Sequence, residues 1–111
     1  MKFKSLDYKN DTYYKDYKID EILLENNFDW LVDAEIENAE IEIKNDTLIW
    51  KTGVWYSGTF YYGIWMDGDF KSGTWLNGIW ENGVFHRNAK FKSGIFNKGK
   101  MLGEDLTSKN K

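Results

Sequence analysis

The chain contains no cysteine and only one histidine in 111 residues. Without thiols there is no disulfide framework and no thiol chemistry, a composition that fits a reducing compartment or is simply neutral as to compartment. The single histidine, His86, sits beside Arg87 with no Cys and no convergent acidic cluster near it in sequence. That argues against a metal ligand set or a catalytic base and for an exposed corner residue. No run of residues is apolar enough to span a bilayer, and Met1–Asp20 has no apolar core of the kind a secretion signal carries. The net charge of −3 is too mild to select a partner by electrostatics. Asp67-x-Asp69 lacks the later Glu of a calcium loop. The glycines recur every five residues with no Gly-Lys-Ser/Thr after them, so they form no phosphate loop. The expectation is therefore a chain that is not an enzyme, with no catalytic residue, metal or cofactor and no membrane segment.

What the chain does have is aromatic side chains: six Trp, seven Tyr and seven Phe. Most of the Trp and Phe fall in residues 48–101, where one five-residue unit repeats. From Gly53 the units read GVWYS, GTFYY, GIWMD, GDFKS, GTWLN, GIWEN and GVFHR; after Asn88 they continue as AKFKS, GIFNK and GKMLG. The aromatic position stays large and apolar while its neighbours range from Val54 to Lys71, which marks it as interior. Residues two apart share a face of an extended segment, so the preceding Gly or Ala is expected to point inward with it. A small residue beside each ring suits a limited interior volume. Between Phe85 and Phe91 the spacing is six, yet Ala89-x-Phe91 keeps the couple, so the extra residue is expected at a corner.

Short units that cannot bury a core alone stack into solenoids. This small–x–large unit resembles the pentapeptide-repeat family. The resemblance implies a right-handed β-helix of square cross-section, with four five-residue sides per coil and Ala two positions before the inward Leu or Phe. Ala34-x-Ile36, Ala39-x-Ile41 and Ala89-x-Phe91 have that form; elsewhere the chain uses Gly before Trp or Phe. Two alternatives stay open. Asn77-Gly78 and Asn82-Gly83 are hairpin signals, although a meander would need three-residue strands throughout. The Gly-x-Trp-x-x-Gly pattern is also similar to the membrane-occupation-nexus repeat, whose longer unit is not visible here.

The expected organisation is an N-terminal arm and cap over residues 1–31, a solenoid over 32–101 and a polar tail over 102–111. Residues 1–18 interleave Lys with Tyr8, Tyr13, Tyr14 and Tyr17. That pattern can stack on single-stranded nucleic acid, but Asp7, Asp11, Asp16 and Asp20 dilute the charge, and an arm or edge strand is preferred. Asp20 can cap a short helix through Ile22, Leu23 and Leu24 that ends near Asn26-Asn27. With Phe28, Trp30 and Leu31, that helix would plug the open end of the first coil. A looped insertion is expected around residues 43–47.

Two candidate surfaces follow. Folding the units four to a coil stacks Trp50, Phe70 and Phe91 in one column and Trp55, Trp75 and Phe96 in the next. Phe60, Trp80 and Met101 make the third column, Trp65 and Phe85 the fourth, giving about two and a half coils. Outward neighbours of the second column, Val54, Tyr56, Thr74, Leu76 and Ile95, would then form a flat apolar wall suited to protein contact. The other surface is acidic: Glu35, Glu37, Glu40 and Glu42 alternate with apolar residues and could imitate DNA phosphates or be a solvated face. The leading functional expectation is a protein–protein interaction module, with a second copy of the chain among its candidate partners. On the resemblance of its Gly-Trp units to proteins of tailed phages and their hosts, it would be a structural or host-interaction factor, in the bacterial cytoplasm or on a virion. Nucleic acid is not an expected partner. A DNA-mimic inhibitor and a carbohydrate binder using rows of Trp are the alternatives.

Overall fold

The computed structural model describes residues 2–6, 23 and 25–106, with residues 2–6 described as backbone only. The expected helix at Ile22, Leu23 and Leu24 is represented by Leu23 and Glu25, both helical; Ile22 and Leu24 lie outside the described residues, as do Tyr8, Tyr13, Tyr14 and Tyr17. That helical turn stops where Asn27 takes φ 67° and the Phe28 N–H donates to the Leu23 carbonyl at 2.7 Å. A left-handed residue followed by this long backward bond is a Schellman stop, and its companion apolar contact is present because Leu23 and Phe28 are both buried. A short helix, α1 (Asp29–Val32), follows at once.

The remaining elements are strands. β1 (Lys2–Leu6) pairs antiparallel with β2 (Glu35–Lys44), and β2 pairs antiparallel with β3 (Thr47–Ser57). Asn45 and Asp46, at φ 53° and 61°, are the two turn residues between Lys44 and Thr47. Two successive positive φ angles define the hairpin turn whose twist matches its strands. The loop expected at residues 43–47 is thus a tight turn.

From β3 onward every pairing is parallel. β4 (Thr59–Phe60), β5 (Ile64–Trp65), β6 (Asp69–Trp75), β7 (Ile79–Trp80), β8 (Val84–Phe91), β9 (Ile95–Phe96), β10 (Lys100–Met101) and β11 (Glu104–Asp105) build a β-solenoid of about four turns. The all-β solenoid with a helical N-terminal cap is as expected; the coil is not. Trp50 pairs with Trp65, Trp55 with Phe70, Phe60 with Trp75 and Trp65 with Trp80, an offset of fifteen residues. Three five-residue units therefore close one coil, and the cross-section has three sides instead of four. The columns expected at an offset of twenty are replaced throughout.

Ring size supplies the physical reason. A triangular coil points three side chains inward, and here each of the first three levels carries three rings: Trp50, Trp55 and Phe60; then Trp65, Phe70 and Trp75; then Trp80, Phe85 and Phe91. All nine are at most 1% exposed. Along the axis they stack nearly parallel, for example Trp50 on Trp65 at 4.5 Å and 6° and Phe60 on Trp75 at 4.3 Å and 3°. Within a level they meet edge to face, as do Trp80 and Phe85 at 5.4 Å and 81°. Both arrangements suit the aromatic quadrupole and add about 0.5–1.5 kcal/mol per pair beyond area burial.

The glycines answer a different need from interior volume. Gly68 has φ 118°, and a Cβ placed on it would lie 2.4 Å from the Gly53 carbonyl oxygen of the coil below. Successive coils touch at these corners, and the carbonyl that each corner glycine offers accepts the next bond of the ladder, as Gly68 does from the Val84 N–H at 3.0 Å. Ala89 is the instructive exception. It pairs with Gly73 but has no positive φ, and it follows the register shift that lets His86 and Arg87 together face Lys71. The extra residue is absorbed there, inside β8 and before Asn88, which pairs with Ser72.

Ala34, Ile36, Ala39 and Ile41 were expected on coil sides. Ile36, Ala39 and Ile41 lie on β2, with Ala34 just before its start, and β2 runs back along the first coil in the opposite direction and sets Ile41 against Trp50 and Ile36 against Trp55. Asn38, at φ 51°, bends β2 between them. The third column has no such strand. Trp30 covers it, meeting Phe60 at 5.0 Å and 66°. The cap of the first coil is thus a reversed strand on two sides and a tryptophan on the third.

Candidate interaction surfaces

Three sides give three outer faces, each showing the residues that flank its inward ring. The first face carries Ile49, Ile64, Ile79 and Ile95 in one ladder, because the fifteen-residue offset brings every Ile-Trp or Ile-Phe unit into the same column. Beside it lie Met66, 44% exposed, and Tyr62, 60% exposed at the preceding corner. The second face is mixed: Val54, Asp69, Val84 and Lys100. The third shows Thr59, Thr74, Lys90 and Glu104.

This placement breaks up the wall read from the sequence. Val54 and Tyr56 belong to the second face, Thr74 and Leu76 to the third, and Ile95 to the first, so the five do not form one surface. The error follows directly from the assumed number of sides. The isoleucine ladder takes its place as the apolar face. It was missed although Ile64 and Ile79 already repeat at fifteen residues, with Ile95 one residue later after the insertion.

The acidic residues fare similarly. Glu42 and Glu40 stand opposite Ile49 and Thr52, while Glu37 and Glu35 stand opposite Val54 and Ser57, beyond the bend at Asn38. Three have neighbours of their own. Glu42 pairs with the Lys51 ammonium at 3.2 Å, Glu37 accepts from the Tyr56 hydroxyl at 2.6 Å, and Glu35 accepts from the Ser57 hydroxyl at 2.6 Å. A row bent round a corner and partly engaged is a poor copy of a phosphate backbone. The rows of Trp offer no sugar platform, since Trp50, Trp55, Trp65, Trp75 and Trp80 are all 0% exposed.

His86 is partly covered, and its Nε2 lies 3.1 Å from Asp69 Oδ1 one coil below. Among the described residues there is no cluster of three or more His, Cys, Asp or Glu that could hold a metal ion. An open cleft of about 590 Å³ lies at the seam between cap and solenoid, lined by Asn27, Asp29, Trp30, Asp33, Gly58, Thr59 and Tyr61. It holds carboxylates and rings but no nucleophile paired with a base, so nothing in it resembles a catalytic constellation. No helix among the described residues is long and apolar enough to cross a membrane. Comparison of the chain with protein-family models, with curated proteins and with solved structures finds no match. What geometry and sequence together define is a repeat protein: a three-sided parallel β-solenoid with an aromatic core.

Proposed function

We propose that this chain is a non-enzymatic interaction module whose first face, centred on Ile64, Ile79 and Met66, receives a flat apolar surface of a partner protein. The observation that carries this reading is the isoleucine ladder. Other outward columns change character from coil to coil, as from Val54 to Asp69, Val84 and Lys100, whereas this one holds isoleucine four times. Contiguous apolar surface rimmed by polar residues, here Glu42, Lys51, Glu81 and Asn97, is characteristic of contact sites. The rigid stacked core beneath it holds the face flat at little entropic cost on binding. The likeness to pentapeptide-repeat proteins extends to the five-residue unit and not to the coil. On that likeness the proposed setting is a phage-type structural or host-interaction factor.

A photoreactive residue at position 66, with one at position 71 on the second face as its counterpart, tests the reading in cells that express the chain. The expected result is a discrete cross-linked protein from position 66 alone. The purified partner should then bind an Ile79→Asp variant at least about tenfold more weakly, the cost of about 1.4 kcal/mol at a desolvated contact. Cross-linking from position 71 but not 66, or unchanged affinity of the variant, would overturn it.

A further inference from the structure

The isoleucine face has a second column, and that column carries charge. On the other side of the inward rings stand Lys51, Met66, Glu81 and Asn97, one to a coil. The Met66, Glu81 and Asn97 N–H groups donate to the Trp50, Trp65 and Trp80 carbonyls at 2.7, 2.7 and 2.8 Å, which keeps the column in line. Charge is therefore ordered along the solenoid: positive on the first coil, neutral on the second, negative on the third. The Lys51 ammonium lies 3.2 Å from Glu42, and Glu81 accepts from Asn97 Nδ2 at 3.0 Å. Those bonds hold both charged groups over the face, so little side-chain freedom is left to lose on contact.

Taking this face as the docking site proposed above, we infer that its occupant is the same face of a second copy, with the two solenoids antiparallel about a two-fold axis over Met66. An axis lying in the contact plane and perpendicular to the solenoid lays each column on itself and reverses the order of the coils. Centred on Met66, it sets Lys51 of each copy against Glu81 of the other. It stacks Ile49 on Ile79, and puts Ile64 and Met66 on their own counterparts. It also brings the Asn97 amide, a donor, to the level of Glu42 on β2, an acceptor. Charge rejects the other arrangements. Shifting the axis by one coil sets Lys51 on Lys51 in one direction and Glu81 on Glu81 in the other. A shift of half a coil puts Glu81 against Met66 or against Glu42. Parallel solenoids either lay like charge on like or set each charge on an isoleucine. Like charges face to face are unfavourable, and so is a carboxylate covered without a partner. A two-fold contact uses the same patch on both copies and closes at two. A side about 16 Å wide and about 19 Å tall offers on the order of 300 Å² per copy. That is well under the roughly 800 Å² per partner of a stable complex, so the dimer is weak and depends on concentration.

Sedimentation velocity of the full chain over a wide concentration range tests this. The expected behaviour is a reversible monomer–dimer equilibrium with nothing larger. Lys51→Glu and Glu81→Lys should each weaken the dimer at least about tenfold, because each alone sets like charges together twice. An equimolar mixture of the two variants should dimerise again, since every facing pair is then opposite in sign. Both residues lie outside the core, so thermal melts should stay close to that of the parent chain. Lys71→Glu, on the second face, should leave the equilibrium unchanged. A monomer at every concentration, oligomers beyond two, single variants without effect, or a mixture that stays dissociated would each overturn the inference. The photoreactive residue at position 66 separates that failure from failure of the face itself. A product with the mass of two chains is expected. A product with a foreign protein alone overturns the dimer and leaves the face as a docking site, whereas no product from position 66 overturns both.

Discussion

The corner glycines offer the sharpest test of why the coil can close at all, and Gly73→Ala is the informative change. Gly73 has φ 107°, and a Cβ there would stand 2.3 Å from the Gly58 carbonyl oxygen and 3.1 Å from the Gly58 nitrogen. Two costs add. An L side chain forced to this backbone angle loses about 1–3 kcal/mol. The carbonyl it meets also accepts from the Thr74 N–H at 3.0 Å, so relieving the clash weakens a bond between coils, worth about 0.5–1.5 kcal/mol. The neighbouring coil cannot yield cheaply, because the obstacle is backbone. Together the loss is about 3 kcal/mol. Urea unfolding followed by tryptophan fluorescence would read it as a midpoint lowered by about 1.5 M, for a slope near 2 kcal/mol per molar. Ala89→Gly is the matched control. Ala89 needs no positive φ, so it should lose only the small cost of one buried methyl and added chain entropy, about 1 kcal/mol. Equal and small shifts for the two variants would refute the idea that backbone geometry, rather than interior volume, demands the glycine.

Two further substitutions probe the hairpin and the core. Asp46→Gly should stabilise the protein by about 0.5–1 kcal/mol in the same urea assay, because Asp46 has φ 61° as the second residue of the Asn45-Asp46 turn and glycine adopts that angle without strain. Phe70→Trp would place three tryptophans on one level with Trp65 and Trp75, and overpacking should cost about 1–3 kcal/mol. Adding Trp65→Phe returns the level to two Trp and one Phe and should recover most of that loss, read as a coupling in thermal melts. A double variant no better than Phe70→Trp alone would count against the three-ring level.

The five-residue unit was legible because burial and register act within one unit. An aromatic that never becomes polar must be inside, and a small residue two before it must share its surroundings. The cap was legible for a related reason: Phe28, Trp30 and Leu31 have no outward-facing pattern. How many units close a coil is a different kind of fact. It depends on the angle each corner turns, and that angle is set by backbone conformations of the glycines, which a glycine in sequence permits but does not specify. Three- and four-sided coils share the period of five. The discriminating signals lay elsewhere: in the recurrence of Ile64 and Ile79 at fifteen residues, and in ring size. Three rings of the size of Trp and Phe fill a triangle to contact in every direction, as the parallel stacks and edge-to-face meetings show. The candidate surfaces inherited the error because an outward residue joins a face only through its column. The same dependence explains why the reversed β2 was missed: its Ala-x-Ile couples match the unit locally, and only the turn at Asn45-Asp46 reveals that the chain meets the first coil running backwards.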